Sequence, residues 1–324
     1  MVAAGVSFWL SIGNDTSHLE DVQHFNKRFP IELVSLMTLL KITKNAPLEK
    51  VQLTRFLQAC EHAARLGGAV LMELLGQANV WEKGPGDYVT QADFQSQNAI
   101  RNYLLTEFPE HQFIGEEVPI ELDANSNSAT SQPLRPLSPF CWIVDPLDGT
   151  TNFVHQLRSF SVSVALRYND QIVVGTVFDP TTNECFSAIN GAGASLNGVS
   201  IKPSQCCGLE QALVVFSMKS HVKTGDPQLQ RVLNVISHAS SFRRLGSAAL
   251  NLCFVACGRV DAYWATNLQI WDVAAGWLIA VESGAVLADF DDLPLQLGRP
   301  RFCVTSTQAL FDQLKTHLQV PEDK

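Results

Sequence analysis

The chain lacks most features that announce a specialised class. Its eight cysteines include no CxxC pair, and no stretch reaches the roughly 18 to 20 uncharged apolar residues of a membrane span. Basic residues are the minority, 23 against 32 acidic, for a formal charge of −9. That balance excludes non-specific attraction to nucleic acid or anionic lipid as the organising interaction. Met1 to Ile12 is apolar without a basic lead, which disfavours a secretory signal. No G-x-x-x-x-G-K-S/T string is present, so a P-loop hydrolase is set aside. The cysteines lie mostly inside apolar runs, so free thiols in a reducing, cytoplasmic setting are expected.

What is present is a composition for burial: 46% hydrophobic and 17% charged over 324 residues. Residues 1–47 carry little pattern and are set apart as an N-terminal extension, with a short helix around Ile31 to Lys41. Residues 48–324 read as one domain of two halves sharing a cleft. Leu53, Leu57, Cys60, Ala64, Gly67, Leu71 and Leu75 recur at helical spacing, with Gly67-Gly68 either a weak point or a place of close packing. A polar segment, Lys83 to Asp87, precedes a second helix from Ala92 to Phe108.

Phe113 to Glu117 reads as a short strand opening into a loop, and Leu122 to Pro139 as a Ser-, Asn- and Pro-rich surface excursion. Phe160 to Tyr168 alternates as a half-buried strand, followed by strands at Ile172 to Phe178 and Glu184 to Ile189 and a glycine-rich turn, Gly191 to Gly198. The second half alternates strand and helix: 212–216, 227–238, 247–257, 260–264, a helix from Asp272, strands near Val286 and Phe302, and a helix from Gln308. The class is α/β, in layers.

Chemistry concentrates in Trp142-Ile143-Val144-Asp145-Pro146-Leu147-Asp148-Gly149-Thr150-Thr151-Asn152-Phe153. An apolar strand ends in two carboxylates three residues apart, and Pro146 bends the chain so that Asp148 returns toward Asp145. Gly149 lets the backbone approach a ligand closely. Hard oxygen donors beside a glycine and a hydroxyl suit a divalent cation holding a phosphate. Each acid also has a plainer reading. Asp145 and Asp148 are good turn formers, Glu116 and Glu117 a solvated pair, Asp272 a helix cap, and Lys83, Asp87, Thr90 and Asp93 a polar loop with a cap. Their joint placement at strand ends and helix starts favours convergence on one cleft. Converging carboxylates raise one another's pKa values unless a cation such as Mg²⁺ joins them. The Gly246-Ser247-Ala248 turn, opening a helix, offers N–H groups to an anion or hydroxyl.

Across residues 50 to 320 these motifs, with Gly115-Glu116-Glu117 and Trp271-Asp272-Val273-Ala274-Ala275-Gly276, resemble the inositol monophosphatase family of Mg²⁺-dependent, lithium-sensitive phosphatases. The resemblance implies an αβαβα sandwich with mixed and antiparallel sheets, commonly a homodimer. It implies two or three Mg²⁺ ions, replaceable by Mn²⁺. Glu116, Asp145 and the Leu147 carbonyl would hold the first; Asp145, Asp148 and Asp272 the second; a looser third would lie near Glu116. Asp93 and Thr150 would activate water, supported by Lys83 and Glu117. Gly149 and Thr150 would meet the phosphate, and Gly246, Ser247 and Ala248 the alcohol, with Glu116, Asp148 and Asp272 also facing the substrate.

One position departs. Where inositol-preferring members carry a glutamate that bonds the polyol, this chain has Ala265, which weakens discrimination for a polyol. Inositol 1-phosphate leads the substrate list, with histidinol phosphate, a sugar phosphate or bisphosphate and NADP behind. A catalytically silent relative is the non-enzyme alternative.

Overall fold

Apolar stripes and strand runs set the layers. A computed structural model describes residues 48–84, 86–117, 138–218, 222–298 and 300–320. The N-terminal extension with its helix at 31–41, and the excursion expected from Leu122 as far as residue 137, lie outside the described residues.

Helix α1 (Lys50–Leu74) buries Phe56, Ala59, Cys60, Ala63, Ala64, Gly67, Gly68 and Leu71, one continuous face. Gly67 and Gly68 are sites of close packing. A Cβ on the first would sit 2.7 Å from Ile100, and one on the second 2.7 Å from the Phe178 ring. The segment read as a polar loop is instead a hairpin, β1 (Val80–Gly84) and β2 (Asp87–Thr90), antiparallel with a bulge. It was hidden because its first strand is largely exposed and carries no apolar alternation. Helix α2 (Gln91–Glu107) follows.

The larger sheet runs β3 (Gln112–Gly115), β4 (Phe140–Asp148), β5 (Ser161–Tyr168), β6 (Gln171–Asp179), β7 (Glu184–Ile189), β8 (Gly193–Leu196), β9 (Val199–Ser200). Only β3 and β4 pair in parallel. The glycine-rich turn is therefore two tight turns around short strands. A one-turn helix, α3 (Thr150–Val154), follows β4.

The second half supplies β10 (Leu213–Ser217), α4 (Pro227–Ile236), β11 (Ser241–Arg243), α5 (Ala248–Ala256), β12 (Ala262–Thr266), α6 (Ile270–Ser283), β13 (Val286–Ala288), β14 (Arg301–Thr305) and α7 (Gln308–Leu318). The smaller sheet has the order β11-β10-β12-β14-β13, with β10 parallel to both β11 and β12. Helices α1 and α2 cover one face of the larger sheet, α5 and α6 lie between the sheets, and α4 and α7 back the smaller one. The layers are αβαβα.

Strand β5 is not half-buried: its first six residues are all buried, because α1 and α6 cover opposite faces. Helix α6 comes so close to the sheet that a Cβ on Gly175 would stand 2.9 Å from the Ala275 Cα. Gly175→Ala is therefore expected to destabilise by roughly 1–3 kcal/mol despite the better strand residue, and thermal melting checks it. An unchanged melting temperature would mean that this contact yields freely. All eight cysteines are free, and five are buried.

Candidate active site

The decisive local device is a β-bulge. Asp145 pairs with Ser163 and Asp148 with Ser161, so three steps on β4 match two on β5. In a regular pleat, residues three apart point to opposite faces; the surplus residue returns Asp148 to the face of Asp145. Strand β4 thus continues through Asp148 instead of ending at Asp145. Glu116 follows the last β3 residue, whose partner is Val144, and its N–H donates to the Val144 carbonyl at 3.2 Å. The parallel register therefore sets Glu116 beside Asp145.

Two further acids enter at helix starts, by the same means. Asp93 Oδ2 accepts from the Thr90 N–H and hydroxyl, each at 2.7 Å, and the Thr90 hydroxyl accepts from the Ala92 N–H. Asp272 Oδ2 accepts from the Gln269 N–H at 2.7 Å. Both are the third residue of a capping box. The cap positions themselves belong to Thr90 and Gln269, so α6 starts two residues before Asp272 and the two acids bond back to the caps from the third helical position, with Asp93 Oδ1 left within reach of Thr150. Helix α6 is tied down beside Asp145, where the Ser163 hydroxyl donates to the Trp271 carbonyl at 3.3 Å.

The electrostatics show that the acids share a pocket. Asp145 is 2% exposed and Asp148 7%. Burial drives the Asp145 pKa well above the carboxylate range, and the charges of Glu116, Asp148 and Asp272 push it further. Burial and Glu117 raise Glu116 to about 8, with Asp93 and Asp272 adding and Lys83 opposing. Burial and then Asp148 raise Asp272 to about 7. Its surface is partly open, yet protein surrounds it closely. Asp93, 1% exposed, is pushed up to about 6, chiefly by burial. Lys83 is the cation here, its Nζ 2.7 Å from Glu117 and 3.7 Å from Glu116. Among the described residues, no three His, Cys, Asp or Glu side chains form a ready cage for an ion.

Asp148 changes the expectation for Gly246, Ser247 and Ala248. Its carboxylate accepts from the Ala248 N–H at 3.0 Å, the Ala249 N–H at 2.7 Å and the Ser247 hydroxyl at 2.5 Å. The α5 N-terminus therefore already holds an internal carboxylate, and its Ala248 and Ala249 N–H groups are taken by it. Burial still raises the Asp148 pKa against these bonds. Gly246 has φ +93°, and a Cβ there would stand 2.6 Å from the Asn152 amide, which donates to the Leu245 carbonyl. Gly149 has φ +99° and precedes α3. The Thr150 hydroxyl lies 3.1 Å from the Leu147 carbonyl and 3.4 Å from Asp93 Oδ1. Ala265 is 0% exposed within an apolar cluster that includes Val273 and Phe302.

A family model described as the inositol monophosphatase family matches residues 52–320. The chain belongs to that family. It is 38% identical to inositol monophosphatase 2 of Solanum lycopersicum, over 76% of this chain and 92% of that one. It is 37% identical to the Nus factor SuhB of Vibrio cholerae, over 70% and 82%. The crystal structure of the extragenic suppressor protein suhB from Bartonella henselae superposes with a TM-score of 0.72 at 34% identity, covering 82% of this chain and 98% of that one.

Several positioning residues escaped the sequence reading. Gln97 clamps the Glu117 backbone, donating to its carbonyl at 2.5 Å and accepting from its N–H at 3.0 Å. The Ser96 hydroxyl holds the Pro146 carbonyl at 2.9 Å, across the bulge. Both follow Asp93 by one helical turn, the signal that could have found them.

Proposed function

We propose that the chain is a Mg²⁺-dependent phosphomonoesterase acting on a small phosphorylated alcohol. The bulge that turns Asp145 and Asp148 to one face, beside Glu116, carries the reading. A buried set of mutually repelling carboxylates with oxygen donors alone suits a hard divalent cation. Glu116, Asp145 and the Leu147 carbonyl would hold one Mg²⁺, and Asp145, Asp148 and Asp272 a second. A third, looser ion would lie near Glu116, Lys83 and Glu117 would support the site from its edge, and Mn²⁺ can substitute. Bound there, the ions supply charge neutralisation, orient the phosphoryl group and acidify water.

The chain's own residues divide the remaining work. Asp93 Oδ2 is engaged by Thr90, so Oδ1 is the oxygen that can take a proton. When the Thr150 hydroxyl turns its proton from the Leu147 carbonyl to Asp93 Oδ1, its lone pairs can accept a proton from the attacking water. A carboxyl near 6 is suited to that exchange close to neutrality. Gly149 and the α3 start lie beside the position the phosphate would take. Gly246, Ser247 and Ala248 border the alcohol mainly by holding Asp148.

Inositol 1-phosphate heads the candidates, although the enclosed Ala265 gives its hydroxyls no carboxylate. The expected result of a panel of inositol 1-phosphate, histidinol phosphate, fructose 1,6-bisphosphate, NADP and phosphoadenosine phosphate is Mg²⁺-dependent hydrolysis with weak polyol selectivity. A sharp preference for inositol 1-phosphate would refute the Ala265 argument, and no Mg²⁺-dependent turnover of any phosphomonoester would leave the silent-relative reading. That second reading is favoured by the relatives named as Nus factors. A homodimer in a reducing cytoplasm completes the proposal; no helix among the described residues is long and apolar enough to cross a membrane.

A further inference from the structure

The phosphatase reading leaves one group of ligating side chains unused. A cavity of about 350 Å³ between the end of α4 and the last turns of α7 is lined by Glu210, His238, Asp312, Thr316 and His317, among others. The His238 and His317 rings face each other, with centroids 4.2 Å apart and planes at 31°. His238 Nδ1 lies 2.8 Å from the Asn234 carbonyl oxygen. A carbonyl only accepts, so Nδ1 carries the proton and Nε2 keeps its lone pair. A backbone carbonyl fixing the far nitrogen is the arrangement that orients metal-bound imidazoles.

The frame around the pair is braced. Gln230 Nε2 donates to Asn234 Oδ1 at 2.7 Å, and Asn234 Nδ2 donates to the His317 carbonyl at 3.3 Å, joining α4 to α7. Glu210 and Asp312 bring negative charge to the same cavity, which disfavours an anion and favours a cation.

We propose that His238 and His317 form a two-imidazole site for a borderline transition ion of the Cu²⁺, Ni²⁺ or Zn²⁺ class, separate from the acidic pocket. Imidazole nitrogen selects these ions, whereas carboxylate and carbonyl oxygen select Mg²⁺, so the two sites differ in what they hold. To take Zn²⁺ at the roughly 2.0–2.1 Å usual for imidazole, the two facing rings must turn their free nitrogens toward one point in the cavity. No third His, Cys, Asp or Glu completes a cage among the described residues, so water fills the other positions and the two acids act through their charge.

The test is Cu²⁺ titration of the full chain under saturating Mg²⁺, followed by calorimetry and electron paramagnetic resonance. One tight equivalent with hyperfine coupling from two imidazole nitrogens is expected. His238→Gln and His317→Gln should each weaken it on the order of tenfold or more, while melting of the metal-free protein stays unchanged. His238 is exposed, so its variant decides the matter alone should His317→Gln fail to fold. No tight nitrogen-coordinated equivalent, or one retained in His238→Gln, overturns the site.

Discussion

Asp145→Asn is expected to remove nearly all Mg²⁺-dependent hydrolysis while making the metal-free protein harder to melt at pH 8. The two effects share one cause. Asparagine keeps the Oδ1 that accepts from the Leu147 N–H at 3.0 Å, so the bulge in β4 survives. It loses the charge that faces Glu116, Asp148 and Asp272. A buried charge among like charges costs native stability, so its removal should raise the melting temperature by several degrees, at roughly 2–4 °C per kcal/mol. The same charge is what two cations would share. Its loss should lower kcat/KM by about 10³-fold or more, on the order of 4 kcal/mol. Activity within tenfold of the parent would sink the assignment. So would a fall in both activity and metal-free melting temperature. Asp148→Asn is the poorer experiment, because an amide there would confront the Ala248 and Ala249 N–H groups.

The second large effect is a crossing of pH profiles. Glu116, Asp272 and Asp93 have folded-state pKa values near 8, 7 and 6, all above the roughly 4 of an unfolded carboxyl. A carboxyl raised in this way stabilises the native chain fully below about pH 4, and that contribution is lost as pH rises through the folded value. His111 acts in the opposite sense. Burial, and then the Arg55 charge, lowers it to about 4, so native stability falls as pH drops from 6.5 toward 4. Three raised carboxyls outweigh one lowered histidine, so the metal-free protein should weaken steadily from about pH 5.5 toward pH 8. Mg²⁺ competes with those protons, so its stabilisation should grow over the same range. At about 100 times its dissociation constant it contributes about 2.7 kcal/mol, or roughly 5–10 °C. Calorimetry at pH 5.5 and 8, with Mg²⁺ and with chelator, checks this. An equal Mg²⁺ shift at both values would mean that the acids are not the ligands.

Much of this was legible from residue order, and the failures have physical reasons. The α1 stripe and the unbroken run into β4 declare their environments by pattern. The β5 alternation declared its pattern truly but misled about its setting. Ser161 and Ser163 look like a solvent face, yet they are cross-strand partners of Asp148 and Asp145 and face the acids. Polar alternation cannot distinguish water from a buried polar pocket. The β1–β2 hairpin failed for the opposite reason, having almost no apolar face to betray it. At the site, the acids could be found because few core elements end in carboxylates. Gln97 and Ser96 had only their place one helical turn after Asp93 to mark them, since the Glu117 backbone and the Pro146 carbonyl that they bind are brought near only by folding. The fate of the α5 N-terminus was also beyond the sequence: a turn that offers N–H groups does not say which anion arrives first.

The three-residue interval between Asp145 and Asp148 is a counting error built into a strand. Forcing these same residues into a regular pleat, without the bulge, would turn Asp148 to the opposite side of the sheet. Every neighbouring residue could stay in place and the cleft would still lose one wall. Length, at this point in the chain, is as much a part of the chemistry as the identity of the acids.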